Sequence, residues 1–157
     1  MNNLILSLVA GLGATLAIGV LSYAEVSLTE VVLLMAPFGA TAVLVFGVPS
    51  SPLAQPKNVI IGHFITASIG IAFSQYVEIT PITLAIATGL GVSAMLITKT
   101  THPPAGANPI LIMASGQGWS FLFTPVLIGA VVIVLVGKAL QLLQSLYLNP
   151  RLNGQKT

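Results

Sequence analysis

Pro37-Phe38-Gly39-Ala40-Thr41-Ala42-Val43-Leu44 has a counterpart 67 positions on, Pro104-Ala105-Gly106-Ala107-Asn108-Pro109-Ile110-Leu111. The same offset, without a gap, sets Val59-Ile60-Ile61-Gly62 on Val126-Leu127-Ile128-Gly129 and Gly70 on Gly137. Upstream, Gly11-Leu12-Gly13 matches Gly89-Leu90-Gly91 at an offset of 78, so the first copy is the longer before its Pro-Gly element. Proline removes a backbone donor and glycine admits angles that other residues avoid, so each element interrupts a helix. Inside a bilayer such a break is tolerated only where it lines a cavity or is buried in protein.

The composition puts most of the chain in lipid. Of 157 residues, 55% are hydrophobic and 5% charged, against about 25% charged in soluble domains. Eight charged side chains cannot solvate such a surface, and the mean hydropathy is +1.02. A net charge of +2 is too small for a nucleic-acid footprint. The absence of cysteine excludes a disulfide framework, thiolate catalysis and Cys-ligated metals. Met1-Asn2-Asn3 carries no basic residue and the apolar run continues to Tyr23, so the N-terminus reads as a retained first helix.

Six apolar segments follow, at 4–23, 28–48, 58–76, 80–98, 103–118 and 120–148. If all six cross with the N-terminus in the cytoplasm, Glu25, Glu30 and Glu78 fall outside. Lys57, Lys99, Arg151 and Lys156 then fall inside, as the positive-inside rule asks, and Lys138 snorkels the same way. Tyr23, Tyr76, Trp119 and Tyr147 stand at segment ends, where interfacial aromatics belong. The expectation is an all-α polytopic transmembrane bundle forming one domain over 1–157, in a bacterial inner membrane, with both termini cytoplasmic. Three-segment repeats (4–76 and 82–148) are odd-numbered and so lie inverted, with segments two and five broken by Pro and Gly. The alternative is four full spans plus two re-entrant segments.

Half-helices start near Ala40-Thr41 and Ala107-Asn108, with Thr41 and Asn108 placed to cap them. Two such starts meeting near the midplane from opposite sides present N–H groups and positive dipole ends, a site for an anion. The site would comprise Phe38, Gly39, Ala40, Thr41, His102, Pro103, Pro104, Gly106, Ala107 and Asn108, with Lys99 and His63 as accessory residues. Backbone N–H groups would supply most contacts, so Gly106→Val would block transport. The plainer alternative is a pair of kinks that only shape packing. His102 reads equally as an anion donor or proton-handling group and as an interfacial loop histidine. His63 reads as a satisfied packing histidine, and the three glutamates as solvated loop residues. Gly62, Thr66 and Gly70 at four-residue spacing read as a close-packing seam.

Thr101-His102-Pro103-Pro104-Ala105-Gly106-Ala107-Asn108-Pro109 resembles the signature of the HPP family of integral membrane proteins. Ala36–Leu44, the loop Pro49-Ser50-Ser51-Pro52-Leu53-Ala54-Gln55-Pro56-Lys57-Asn58 and Gly62-His63 resemble it too. The resemblance implies four membrane spans and, from cyanobacterial and chloroplast members, nitrite transport. Transport of a small monovalent anion, nitrite first, by a homo-oligomer without cofactor or metal is therefore expected. A non-transporting scaffold or sensor subunit is the rival. A membrane enzyme is weaker, since no nucleophile, base and orienter set can be drawn from two His and three Glu.

Overall fold

The computed structural model describes residues 3–28 and 31–147, the Tyr147 side chain excepted. Regular structure in them is helical: α1 (Asn3–Ser27), α2 (Pro37–Ala42), α3 (Pro56–Tyr76), α4 (Pro81–Ile97), α5 (Asn108–Ser115) and α6 (Ile128–Tyr147). Wider π turns extend α2 over Val43–Gly47 and lead into α6 over Leu122–Leu127, and tight 3-10 turns occupy Pro52–Ala54 and Pro103–Ala107. Proline opens α2, α3 and α4, where its missing N–H costs nothing. Thr80 and Thr83 close a reciprocal cap on α4. Gly116, at φ 66, ends α5 in the left-handed conformation that glycine adopts freely.

Three helices among the described residues are long and apolar enough to cross a membrane: Asn3–Ser27, Pro56–Tyr76 and Leu122–Leu146. Segment two is no continuous helix. Residues 31–35 have no regular structure and only Pro37–Gly47 is helical. It nevertheless runs antiparallel to α1 along most of its length. Leu33 and Leu34 donate N–H to Glu25 Oε2 at one end, both at 2.8 Å. Phe46 packs on Gly13 midway, and Pro49 shares a cavity wall with Leu6 and Ser7 at the other end. From Glu25 down to Leu6 is roughly 28 Å at 1.5 Å per residue.

Segment five runs parallel to α3 in the same way. Asn58 Nδ2 donates to Thr101 O (2.9 Å), Gly70 packs on Pro109 and Ile112, and Gln75 Nε2 reaches Gln117 O (3.2 Å). Trp119 Nε1 reaches Tyr76 Oη at 3.3 Å. Each half-structured segment thus lies alongside one long helix for most of that helix's length. One end of the bundle gathers residue 3, the 47–56 loop, the 98–102 turn and the end of α6; call it the near end. The far end gathers 25–28, 31–33, 76–81 and 116–121.

Contacts between the halves are reciprocal. Gly62 meets Thr100 O, and Gly129 meets Leu33 O. Likewise Gly70 meets Ile112, and Gly137 meets Val45. In each pair both members move by the same 67 positions on passing from one contact to the other. Phe38, Ile71, Ile112 and Ile133 fill the core between α3, α6 and the broken segments. Leu12, Leu16, Ile82, Ile97 and Leu135 remain exposed on the rim, which suits a lipid surround.

Three local expectations are corrected. The first half-helix starts at Pro37, which puts Thr41 inside it, and neither Thr41 nor Asn108 caps: both helix starts lack a side-chain cap bond. Their polar atoms are drawn inward instead. Glu25 is not a solvated loop residue, because the irregular backbone at the start of segment two has N–H groups with no helical partner and Glu25 accepts two of them. Glu30 lies outside the described residues.

Candidate functional site

Where the two breaks meet, six polar residues are fully buried: Thr41, His63, Thr66, Thr100, His102 and Asn108. His63 is the eighth residue of α3, about 10 Å in from its start. Thr41 Oγ1 lies 2.9 Å from His63 Nε2 and 3.0 Å from His102 Nε2, joining the two rings. Asn108 Nδ2 reaches His63 Nδ1 (3.0 Å), His63 O (3.2 Å) and Thr66 Oγ1 (2.9 Å). His102 Nδ1 lies 2.8 Å from the Leu53 carbonyl. The rings stand edge-on to one another, centroids 5.0 Å apart, and Phe38 meets His63 edge-on at 5.5 Å. Buried polar groups must find partners or cost about 1–3 kcal/mol each, and in this cluster only Asn108 Oδ1 has none.

Local sequence explains the convergence. A Cβ on Gly62 would meet Thr100 O at 2.9 Å and His102 Cβ at 3.0 Å, so glycine lets the His102 turn lie against α3. Asn58 holds that turn through Thr101 O. The Pro52–Ala54 turn closes the near end over His102, braced by Gln55 Nε2 on Pro49 O and Ser51 O. No group of three or more His, Cys, Asp or Glu that could hold a metal occurs among the described residues.

The residues expected at the site divide into two sets. Thr41, His102 and Asn108 join the buried cluster, with Phe38 packed on it. Pro104 is buried, Gly106 is half-buried, and Gly39, Ala40, Pro103 and Ala107 are exposed. Pro37, Ala40, Pro103, Pro104 and Ala107 line an open apolar groove of about 600 Å³. Lys99 is exposed, in a left-handed turn at φ 54. Backbone donors at the breaks are largely engaged: Phe38 N–H donates to Met35 O, Gly39 N–H to Ala36 O and Ala105 N–H to His102 O. Pro37, Pro103, Pro104 and Pro109 have none. Nothing within 4 Å would meet a Cβ on Gly106.

His63, expected as an accessory residue or a satisfied packing histidine, is buried with both ring nitrogens bonded at the centre of the cluster; the Leu53 carbonyl and Thr66 were not among the expected site residues. A signal for Thr66 was present in its place on the Gly62–Gly70 seam. None announced Leu53, since a main-chain carbonyl carries no residue-type information.

The profile of the HPP transmembrane region matches residues 2–147. A transmembrane protein of Dictyostelium discoideum is 36% identical over 128 residues, which cover 76% of this chain and 45% of that protein. A second from the same organism is 35% identical over 128 residues, covering 76% and 41%. The chain therefore spans less than half the length of these curated relatives. No solved structure matches it. With family-specific motifs at the helix breaks and a match over nearly its whole length, the chain belongs to the HPP family of transmembrane proteins.

Proposed function

We propose that this protein carries a small monovalent anion across a bacterial inner membrane, nitrite being the favoured substrate, with both termini cytoplasmic. One observation carries the reading: in an apolar bundle, a fully buried polar cluster joins both helix breaks to α3. Ionisable groups at membrane depth are expensive and mark solute paths by default. The arrangement departs from the sequence expectation in one respect. Polar capacity at the breaks resides in side chains, while the backbone donors are engaged or replaced by proline. The reciprocal glycine contacts support an inverted repeat, because a two-fold pairs residue i with j and j with i. The polar cluster joins Thr41 and His63 to His102 and Asn108, 61 and 45 positions on. A homo-oligomer packed through the apolar groove completes the proposal.

Purified protein in liposomes should take up nitrite faster than protein-free vesicles and leave sulfate and phosphate outside. His63→Ala and His102→Ala should lower the rate alike, since each removes one neighbour of Thr41. Uptake no faster than in protein-free vesicles would instead favour a sensor or scaffold subunit.

A further inference from the structure

The hydrogen bonds of the cluster have a single polarity, forced from both ends. The Leu53 carbonyl only accepts, so His102 Nδ1 carries a hydrogen and donates it. His102 Nε2 is then a bare lone pair and accepts the Thr41 hydroxyl hydrogen, for which the Pro37 carbonyl at 3.2 Å competes. With that hydrogen engaged, the contact between Thr41 and His63 Nε2 is a donation from the ring. His63 Nδ1 is left bare and accepts from Asn108 Nδ2. The Asn108 amide cannot be turned over in this state, because Nδ2 also faces the acceptor His63 O. Donation therefore runs without a break from Asn108 through His63, Thr41 and His102 to Leu53.

In this state the cluster has no formal charge. Thr41 and Phe38 of α2, Thr66 of α3, Asn108 of α5 and the Leu53 carbonyl face the rings, and none of them titrates. Among the described residues no carboxylate, lysine or arginine bonds to either ring. Lys57 and Lys99 are exposed at the near end, and Glu25 is held by Leu33 and Leu34 at the far end. An anion entering alone would bury an uncompensated charge, at a heavy desolvation cost. Only the two imidazoles can cancel it there, each by taking up a proton.

We infer that the anion moves together with a proton, and that the chain from His63 through Thr41 to His102 carries that proton; this rests on the anion-transport reading above. A proton arriving with the solute binds His63 Nδ1 as the Asn108 amide turns. Asn108 Oδ1, the buried acceptor without a partner, then accepts from the new Nδ1–H, and Nδ2 is freed as a donor for the anion. His63 Nε2 passes its proton to Thr41 Oγ1 while the Thr41 hydrogen passes to His102 Nε2. His63 is neutral again and His102 is an imidazolium beside the anion. When the Leu53 turn lifts, the His102 Nδ1 proton leaves to near-end water and the anion follows. One proton enters and one leaves, no electrons move, and only N–H and O–H bonds change. The step runs equally in reverse.

The test uses the full chain in liposomes, with membrane potential clamped by potassium and valinomycin and protein-free vesicles subtracted. The expected result is nitrite entry that follows an inward proton gradient at zero potential and ignores an inside-positive potential at equal pH. At equilibrium a one-to-one symport accumulates nitrite about tenfold per pH unit. Thr41→Val, which removes the hydroxyl link, should slow gradient-driven uptake roughly 10²-fold, while Thr41→Ser should restore most of it. Uptake that follows potential and ignores pH would overturn proton coupling and leave transport standing. Full gradient-driven uptake by a folded Thr41→Val would overturn the relay, as would an inactive but folded Thr41→Ser. If neither drive produces uptake, transport and symport fall together.

Discussion

A methyl group added at Gly70 and one added at Gly106 meet different surroundings. At Gly70 it would lie 2.8 Å from Pro109 Cα, which is backbone and cannot move aside; at Gly106 it would meet nothing within 4 Å. Overpacking against backbone costs about 1–3 kcal/mol. Gly70→Ala should therefore lower the thermal unfolding midpoint in detergent by several degrees, and Gly106→Ala should leave it unchanged. The same geometry revises the expectation for Gly106→Val, which has room in this conformation and tests the site less directly than Thr41 does. His63 shows what a residue-scale reading leaves out. It has no partner on its own helix, and it became central only when Thr41 and Asn108 arrived from elements 22 and 45 residues away.

Among the elements, the upstream half of segment two is the unusual one, because a stretch without regular structure in an apolar bundle leaves N–H groups without helical partners. Glu25 answers for two of them from the last turns of α1. Glu25→Ala should cost about 1–3 kcal/mol for the donors it strands, and amide exchange at Leu33 and Leu34 should quicken accordingly. Glu25→Gln retains one acceptor oxygen and should lose less. Exchange at those amides unaffected by Glu25→Ala would show that other groups hold the stretch. The Pro-Gly breaks themselves were legible, because proline and glycine act locally. The irregular stretch before the first break was not, since it is held by a carboxylate eight positions before Leu33.

Taken whole, the described residues gather the start of α1, the end of α6, the 47–56 loop and Lys99 at one end, and Glu25, Tyr76, Glu78 and Trp119 at the other. Single cysteines test this against a membrane, and the native chain has none to interfere. A cysteine replacing Glu78 or Gly118 should react with an impermeant thiol reagent from outside intact cells, and one replacing Lys57 should be protected. Labelling of both Lys57 and Glu78 positions from outside would mean that segment three does not cross. The reciprocal contacts at Gly62 with Thr100 and Gly129 with Leu33 also belong to this scale. Their members are 67 positions apart, and each glycine sits where a broken segment approaches a long helix.

By itself the sequence determined the solvent, the all-helical class, the segment boundaries to within a few residues, the two breaks and the family. Each of these follows from composition, hydropathic length or local backbone chemistry, which neighbours along the chain decide. The tertiary structure alone decided that each broken segment lies alongside one long helix and that His63 belongs with His102. It also decided that Thr41 lies between them and that the Leu53 carbonyl sets the polarity of the chain of hydrogen bonds. Those facts depend on which helices pack together, and in an apolar chain nearly every face can pack on every other. The choice rested on a few glycines that let backbones approach and a few polar atoms that had to find one another.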